Sequence, residues 1–521
     1  RQQLSDQDPW PTGFVRREAL KGQPMPSYKS VPIEVRGPKG PYYQRSSLEL
    51  DHQQQSLVGR DGLGRERWRI SLVDRMGDLA GRSNHAFDPA ISQARVDGHL
   101  MLVSLGVELV ALDTIGTPGR QGPRVLWRQD LADTLPSSAP SQGQRVNLPW
   151  GPARFVSGDN TRRLMGNTGP LTDGLACFLR QRSLVAVDPL SGHVLWTRSG
   201  IQPGSDVIGD DELLFVTAPG SQQALVLRAL DGSELGHRDM PAPDHRLAVL
   251  GRRVVAWDQA VGSQAILKMR DVWENRDLWK YTFDAGATHC PVDDQAVGVL
   301  DRQGHFVVVS LADGKRTIDS HLTPDPALKE IFIFRTPTRD LLVASGPPHN
   351  RANESIQPLP GTNLGRSIIN GFVHGFDRHT GKHVYSTRLE NVGMLLHQPA
   401  DLPLLTFAAQ VQQTGRLGQI SKAVIKCVDK RTGRIVVDEH STGPMIAIEQ
   451  TGDPEHHQVL LKTTRTSLRL TFTNEAWPAK VDPAAGAGLP SRAGRTLLRG
   501  MQKWLEGQVP GGGGVVPVPA R

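Results

Sequence analysis

The chain has 521 residues, 38% of them hydrophobic, with 60 basic and 53 acidic side chains and a formal net charge of +7. That length suits two or three ordinary domains or one large all-β domain, and no apolar run approaches the roughly 20 residues that a helical bilayer span needs. The positive charge is small for the size and the arginines are scattered, so a nucleic-acid partner, which needs a clustered basic face, is not expected.

Residues 1–54 are rich in Pro, Gln and Arg and show no sustained period, which reads as an extended linker or arm with one short strand at 33–35. The chain opens on Arg1 rather than Met and reads as the C-terminal part of a longer protein. From 55 to 474, short apolar runs alternate with turn residues, the pattern of an all-β domain. A phrase recurs through this span: apolar run, Asp, short turn, Gly, then a large apolar residue four positions later. Clear copies contain Asp188, Gly192 and Trp196; Asp377, Gly381 and Tyr385; and Asp429, Gly433 and Val437. A shorter one contains Asp61, Gly64 and Trp68. Degraded copies follow Asp113 (with Trp127), Arg228 (with Gly232), Asp271 (with Asn275 and Trp279) and Ser310 (with Gly314 and Ile318).

Seven of these eight phrases follow a second apolar run, and an eighth such run at 457–463 has no phrase after it. The phrase at 57–70 conversely lacks a clear run before it. Repeats of about 40–50 residues mean a solenoid or a propeller. The mismatch at the two ends predicts ring closure, with N-terminal strands completing a blade begun by C-terminal ones, which removes open sheet edges. The expected fold is therefore a single eight-bladed β-propeller of four-stranded blades over 55–474. Seven blades is the alternative, if the copy near Ser310 or Arg228 merges with a neighbour. Within each phrase the Asp is expected to cap the turn by accepting backbone N–H bonds, the Gly to supply a positive φ, and the aromatic to wedge against the next blade. Residues 475–521 read as a linker, a short basic amphipathic helix at 491–508 with Leu497, Leu498, Met501, Trp504 and Leu505 at helical spacing, and a Gly/Pro-rich tail.

The repeated apolar strand–Asp–x–x–[Thr/Ser]–Gly–x–x–x–Trp pattern resembles that of the quinoprotein (PQQ-dependent) alcohol dehydrogenase-like β-propellers. The resemblance covers 55–474 and implies four-stranded blades around a central channel. It is closer to the cofactor-free scaffolds of the BamB type than to the enzymes, and it implies a periplasmic or cell-envelope location. In the enzymes of that family PQQ lies over the channel between a tryptophan and a disulfide of adjacent cysteines, beside a calcium ion held by carboxylate and amide groups. The present sequence has only Cys177, Cys290 and Cys427, none adjacent to another and none in a CxxC pair. They read as buried free thiols rather than a disulfide framework. No motif around Asp210-Asp211 or Asp293-Asp294 matches the calcium set, and these carboxylates read as turn residues. His374, His379 and His383, like His289 and His456-His457, read as surface histidines, since a metal site needs three or four converging ligands.

Three connections are expanded, at 132–154, 346–371 and 410–422, and the repeat register places all three on the face opposite the Asp–Gly turns. Loops on a rigid scaffold concentrate function. The candidate partner-binding residues there are Trp150, Arg154, Arg162, Arg163, His349, Arg351, Arg366, Arg416 and Lys422; the alternative is ordinary solvated loops. The functional expectation is a non-enzymatic protein-interaction or scaffold module of the bacterial envelope, without cofactor, with an unidentified protein partner and no transmembrane segment. A PQQ- and calcium-dependent oxidoreductase and a ligand-sensing module of a signalling protein are the alternatives.

Overall fold

The computed structural model describes residues 9–21, 30–37, 40–41, 47–51, 54, 56–71, 93–105, 108–115, 122–134, 147–148, 151–152, 155–158, 161–165, 168–180, 182–242, 245–259, 264–293, 295–349, 354–357, 368–395, 398–415, 418–442, 448–464 and 466–477. Every element among them is a β-strand. The helix expected at 491–508 lies outside the described residues.

The protein is a β-propeller. Each of the eight phrases sits at the turn between third and fourth strands of a unit; six of these units are separate four-stranded antiparallel sheets, and the first two share one nine-stranded sheet. The third unit is typical: Thr168–Leu171, Ala176–Arg180, Ser183–Val187 and Val194–Ser199 pair in that order. Its second and third strands are almost wholly buried, whereas its fourth alternates between exposed and half-buried positions. Inner strands are covered on both faces by neighbouring units, so they read as continuous apolar runs. The outermost strand meets solvent and carries the polar residues.

The two chain ends meet in a further four-stranded sheet. Ile448–Asp453, Gln458–Thr463 and Ser467–Phe472 are completed by Val15–Leu20, with Val15 opposite Phe472 and Leu20 opposite Ser467. This is the closure that the unmatched run at 457–463 calls for, and it adds a unit to the eight that carry phrases. Gly452 N donates to Leu63 O at 2.8 Å, joining this last sheet to the first phrase-bearing unit. The N-terminal arm carries more structure than one short strand. Ser30–Gly37 pairs through residues 30–33 with Ser47–Asp51, and through residues 34–36 in parallel with Gln93–Asp97, so it links the first and second units. Beyond it, Gly40–Pro41 lies against Arg246–Leu250, the innermost strand of the fifth unit.

Consecutive units interlock through the phrase itself. Trp127 Nε1, from the fourth strand of the second unit, donates to Pro189 O in the third unit's turn at 2.8 Å. Trp196 Nε1 repeats the contact with Ala229 O at 2.9 Å, and Tyr385 OH with Lys430 O at 2.7 Å. Each ring lies on the turn glycine of the next unit. A Cβ added at Gly192 would stand 2.6 Å from Trp127, at Gly232 2.6 Å from Trp196, and at Gly314 2.6 Å from Trp279. Gly192 also has φ 72°. Glycine is thus required twice over, for its backbone conformation and for the space its missing side chain leaves. The apolar core divides accordingly into seam clusters, each drawn from two consecutive units, such as Leu102, Trp127, Phe178 and Val187 between the second and third.

The turn carboxylates behave as caps. Asp188 Oδ1 accepts from Leu190 N at 3.1 Å, Ser191 N at 2.7 Å and Ser191 Oγ at 2.8 Å, which holds its carboxyl below the usual range. Where the phrase lacks its Asp, another takes over three residues later. Asp231 accepts from Ser233 N at 2.9 Å in the unit with Arg228 at the cap position. Asp313 accepts from Lys315 N at 3.2 Å in the unit with Ser310 there.

This interlock makes Trp127 and Gly192 energetically coupled. Trp127→Ala should cost about 3–5 kcal/mol, as losses of buried large aromatics do. Gly192→Ala should cost at least the ~1–2 kcal/mol of a left-handed residue with a side chain, plus the clash. Because the Trp127→Ala background removes the clash, the two costs should fall short of additivity by about 0.5–3 kcal/mol in a double-mutant cycle measured by urea unfolding. Strict additivity would show that the ring does not rest on the glycine.

Candidate interaction surface

Strand direction alternates within each unit, so the connections fall into two sets. First-to-second and third-to-fourth connections, the Asp–Gly turns among them, emerge at one end of the units. Second-to-third connections and the links to the next unit emerge at the other. The insertion at 132–154 follows Arg124–Asp130, the fourth strand of its unit, and those at 346–371 and 410–422 lie between second and third strands. All three therefore stand on one face.

The described parts of these insertions include extra β-structure. The first contributes Ala132–Thr134 to a three-stranded sheet with Phe155–Gly158 and Thr161–Met165, and a small ladder pairs Asn147–Leu148 with Gly151–Pro152. Arg162 and Arg163 lie on Thr161–Met165, opposite Ser157 and Val156, and neighbouring positions on a strand belong to opposite sheet faces. The other two insertions are brought together. Leu404–Gly415 and Gly418–Asp429 form a hairpin of two 12-residue strands, and Glu354–Gln357, from the preceding unit's insertion, adds to its edge with Ile356 opposite Val411.

Among the candidate residues, Lys422 is half-buried on this hairpin, opposite Val411 and Thr442. His349 is exposed at the root of the 346–371 insertion, where Asn391 clamps its backbone: His349 N donates to Asn391 Oδ1 at 3.0 Å, and Asn391 Nδ2 donates back to His349 O at 2.9 Å. Trp150, Arg154, Arg351, Arg366 and Arg416 lie outside the described residues.

A family model described as outer membrane protein assembly factor BamB matches residues 55–319. The chain belongs to this family. Among solved structures, this BamB-like chain is similar to BamB from Moraxella catarrhalis, at 13% identity over 75% of this chain and 98% of that one, with a TM-score of 0.32. It is also similar to Sqt1 of Saccharomyces cerevisiae (10% identity, 82% and 100% covered, TM-score 0.35) and to the WD40 domain of SCAP from fission yeast (7%, 88% and 98%, 0.34). None of the three is close enough in shape to carry functional detail. No curated protein matches the chain.

The residues of this BamB-like propeller do not fit the quinone site of the family's enzymes. Cys177, Cys290 and Cys427 are buried singly, each in a different unit, and burial pushes the Cys427 thiol up to about 12. Asp210 caps its own turn, accepting from Glu212 N and Leu213 N at 3.0 Å, and Asp293 accepts from Gln295 N at 2.9 Å while pairing with Arg335.

Of the histidines read as surface residues, His374 is buried and His289 half-buried. His374 sits on the third strand of the seventh unit, within the buried stretch Val373–Phe376. Its Nδ1 lies 2.8 Å from Ser386 Oγ, which in turn lies 3.0 Å from His383 Nε2. His289 packs its ring 4.7 Å from that of Trp257. His379 is exposed beside the Asp377 cap, and His456 is exposed with Nδ1 2.7 Å from Asp453 Oδ2.

Sequence reasoning also missed an apolar row on the opposite, Asp–Gly-turn face. Two residues after the cap position, three consecutive units carry Ile115, Leu190 and Leu230, exposed at 77%, 53% and 79%. The signal was available: an aliphatic residue in the middle of a polar turn, repeated in register.

His374 and His289 set a pH dependence. Burial, with a smaller contribution from His383, lowers His374 to about 4, and burial alone lowers His289 to about 4, from the ordinary 6.5. Below pH 6.5 the unfolded chain takes up protons that the folded one refuses, so stability should fall from pH 6.5 toward 4. His374→Gln, which keeps a hydrogen-bonding side chain but cannot titrate, should flatten this part of the profile of urea midpoint against pH. An unchanged slope would mean that His374 is not held neutral by the fold.

Proposed function

We propose that this chain is a non-enzymatic, cofactor-free PQQ-like β-propeller that acts as a scaffold for proteins in the bacterial cell envelope, with the insertion face as its partner surface. The observation that carries this reading is the ladder between Glu354–Gln357 and Leu404–Gly415, which fastens insertions from two different units onto one sheet. Loops held on such a scaffold present side chains in a fixed arrangement, the condition for recognising a folded partner. The residues assigned to contact it are Trp150, Arg154, Arg162, Arg163, His349, Arg351, Arg366, Arg416 and Lys422, and tryptophan and arginine are the side chains that anchor protein interfaces. Membership of a family described as outer membrane assembly factors supports both the scaffold role and the envelope location. The lack of adjacent cysteines in the sequence, and the use of Asp210 and Asp293 as turn caps, support the cofactor-free reading.

Titration with PQQ, with and without calcium, should give neither saturable micromolar binding by tryptophan fluorescence nor dye-linked alcohol oxidation. Calcium-dependent turnover would replace the scaffold with an oxidoreductase. Crosslinking in envelope extracts should place partners on the insertion face. Arg351→Glu combined with Arg416→Glu should weaken that association about tenfold or more, the ~1.4 kcal/mol scale of a lost anchor, at an unchanged melting temperature. Contacts confined to the Asp–Gly-turn face would overturn the assignment.

A further inference from the structure

The apolar row on the Asp–Gly-turn face is built into the interlock. Leu190 follows Pro189, whose carbonyl accepts Trp127 Nε1, and Leu230 follows Ala229, whose carbonyl accepts Trp196 Nε1. Each leucine is therefore fixed beside the seam with the preceding unit. Val194 and Leu195, 58% and 49% exposed, begin the outermost strand next to Leu190. Single exposed aliphatics are ordinary on a protein surface, but a row repeated across neighbouring units marks a contact site.

Acidic side chains stand beside the row, among arginines such as Arg228 that pair within their own turns. Glu212 O accepts from Ala229 N at 3.0 Å, which brings the exposed Asp211 and Glu212 beside Leu230. Asp173 is exposed in the corresponding turn of the third unit, on the same face. The described chain also ends on this face. Trp477 stands edge-on to Phe14 at 5.2 Å, and Arg434, next to the turn glycine Gly433, lies 4.9 Å over the Trp477 ring.

We propose that the C-terminal segment 491–508 of this chain docks as an amphipathic helix on the row formed by Ile115, Leu190 and Leu230. The sequence supplies an apolar stripe of Leu497, Leu498, Met501, Trp504 and Leu505, with Arg492, Arg495, Arg499 and Lys503 to face the acidic turns. From Leu497 to Leu505 a helix rises about 12 Å, close to the ~10 Å spacing of packed sheets, so the stripe can touch the leucines of two neighbouring units. The 13 residues 478–490 between Trp477 and this segment reach about 45 Å when extended, several such spacings.

Hydrogen exchange on the full chain tests the docking. Peptides covering 497–505 should exchange at least about tenfold slower in the native protein than in Leu190→Glu/Leu230→Glu, and peptides around 190 and 230 should lose protection in Leu498→Glu/Leu505→Glu. The second pair lies outside the ring, so a folding defect cannot imitate the result. Equal exchange of 497–505 in all three proteins would overturn the proposal. So would protection that vanishes on dilution, which would mean a second copy, or protection that appears only with phosphatidylglycerol vesicles, which would mean a membrane surface.

Discussion

Four seams between consecutive units are held by a bulky side chain seated on a residue that has none, Tyr385 over Gly433 among them. The ring of Trp127 lies over Gly192, that of Trp196 over Gly232 and that of Trp279 over Gly314. The indole N–H of the first two also satisfies a turn carbonyl that faces the seam. A buried carbonyl without a partner costs free energy, so one contact excludes water and meets a polar requirement together. The arrangement fixes neighbouring units in register, because a shift of the outer strand by one residue would turn the aromatic away from the glycine. The glycine and the wedge are the strict parts of the phrase, and the carboxylate is not. In the fourth and sixth units the cap moves from the first turn position to Asp231 and Asp313, while Gly232 and Gly314 keep their places beneath the rings. Even where the wedge shrinks to Ile318, Gly381 keeps a φ of 67° against the backbone of Thr317.

That hierarchy explains what was legible in the sequence. Most second and third strands are rich in apolar residues, and the glycine and aromatic recur at fixed spacing, so the repeat and the need for closure can be read without coordinates. The outermost strands leave a weaker trace. Val15–Leu20, with the sequence VRREAL, has one fully buried residue among six, because one face meets solvent and its pairing partner lies at the far end of the chain. Ser47–Asp51, although a second strand, also leaves a weak trace, because leucine alternates with acidic residues along it. His374 was misread for the opposite reason: a polar residue on a strand suggests a solvent-facing position, and only the packing shows that residues 373–376 of this third strand are all buried.

The candidate surface was legible as a location rather than as a set of contacts. Counting strands is enough to put all three insertions at one end of the units. It does not reveal that Glu354–Gln357 crosses to the next unit's hairpin, since a four-residue edge strand inside a long insertion has no period by which to be recognised. The apolar turn residues were overlooked because attention to the cap and the glycine treats the position between them as free. The ladder bonds that form the turn constrain only its backbone, and the side chain at that position is left to whatever the surface requires.

The two faces are therefore made differently. On the turn face, short connections tied by carboxylate caps hold their side chains in place, and an aliphatic row there presents a rigid surface whose exposure is costly unless something covers it. On the insertion face, length is free to grow because the strands below are already joined to their neighbours, and what grows is polar and rich in arginine. A rigid apolar row suits a permanent, intramolecular occupant held at high local concentration by its own linker. A polar, cationic set of loops suits an exchangeable partner, since charged rims govern the rate and selectivity of encounter more than its permanence. The division follows from the alternation of strand direction that also builds the interlock.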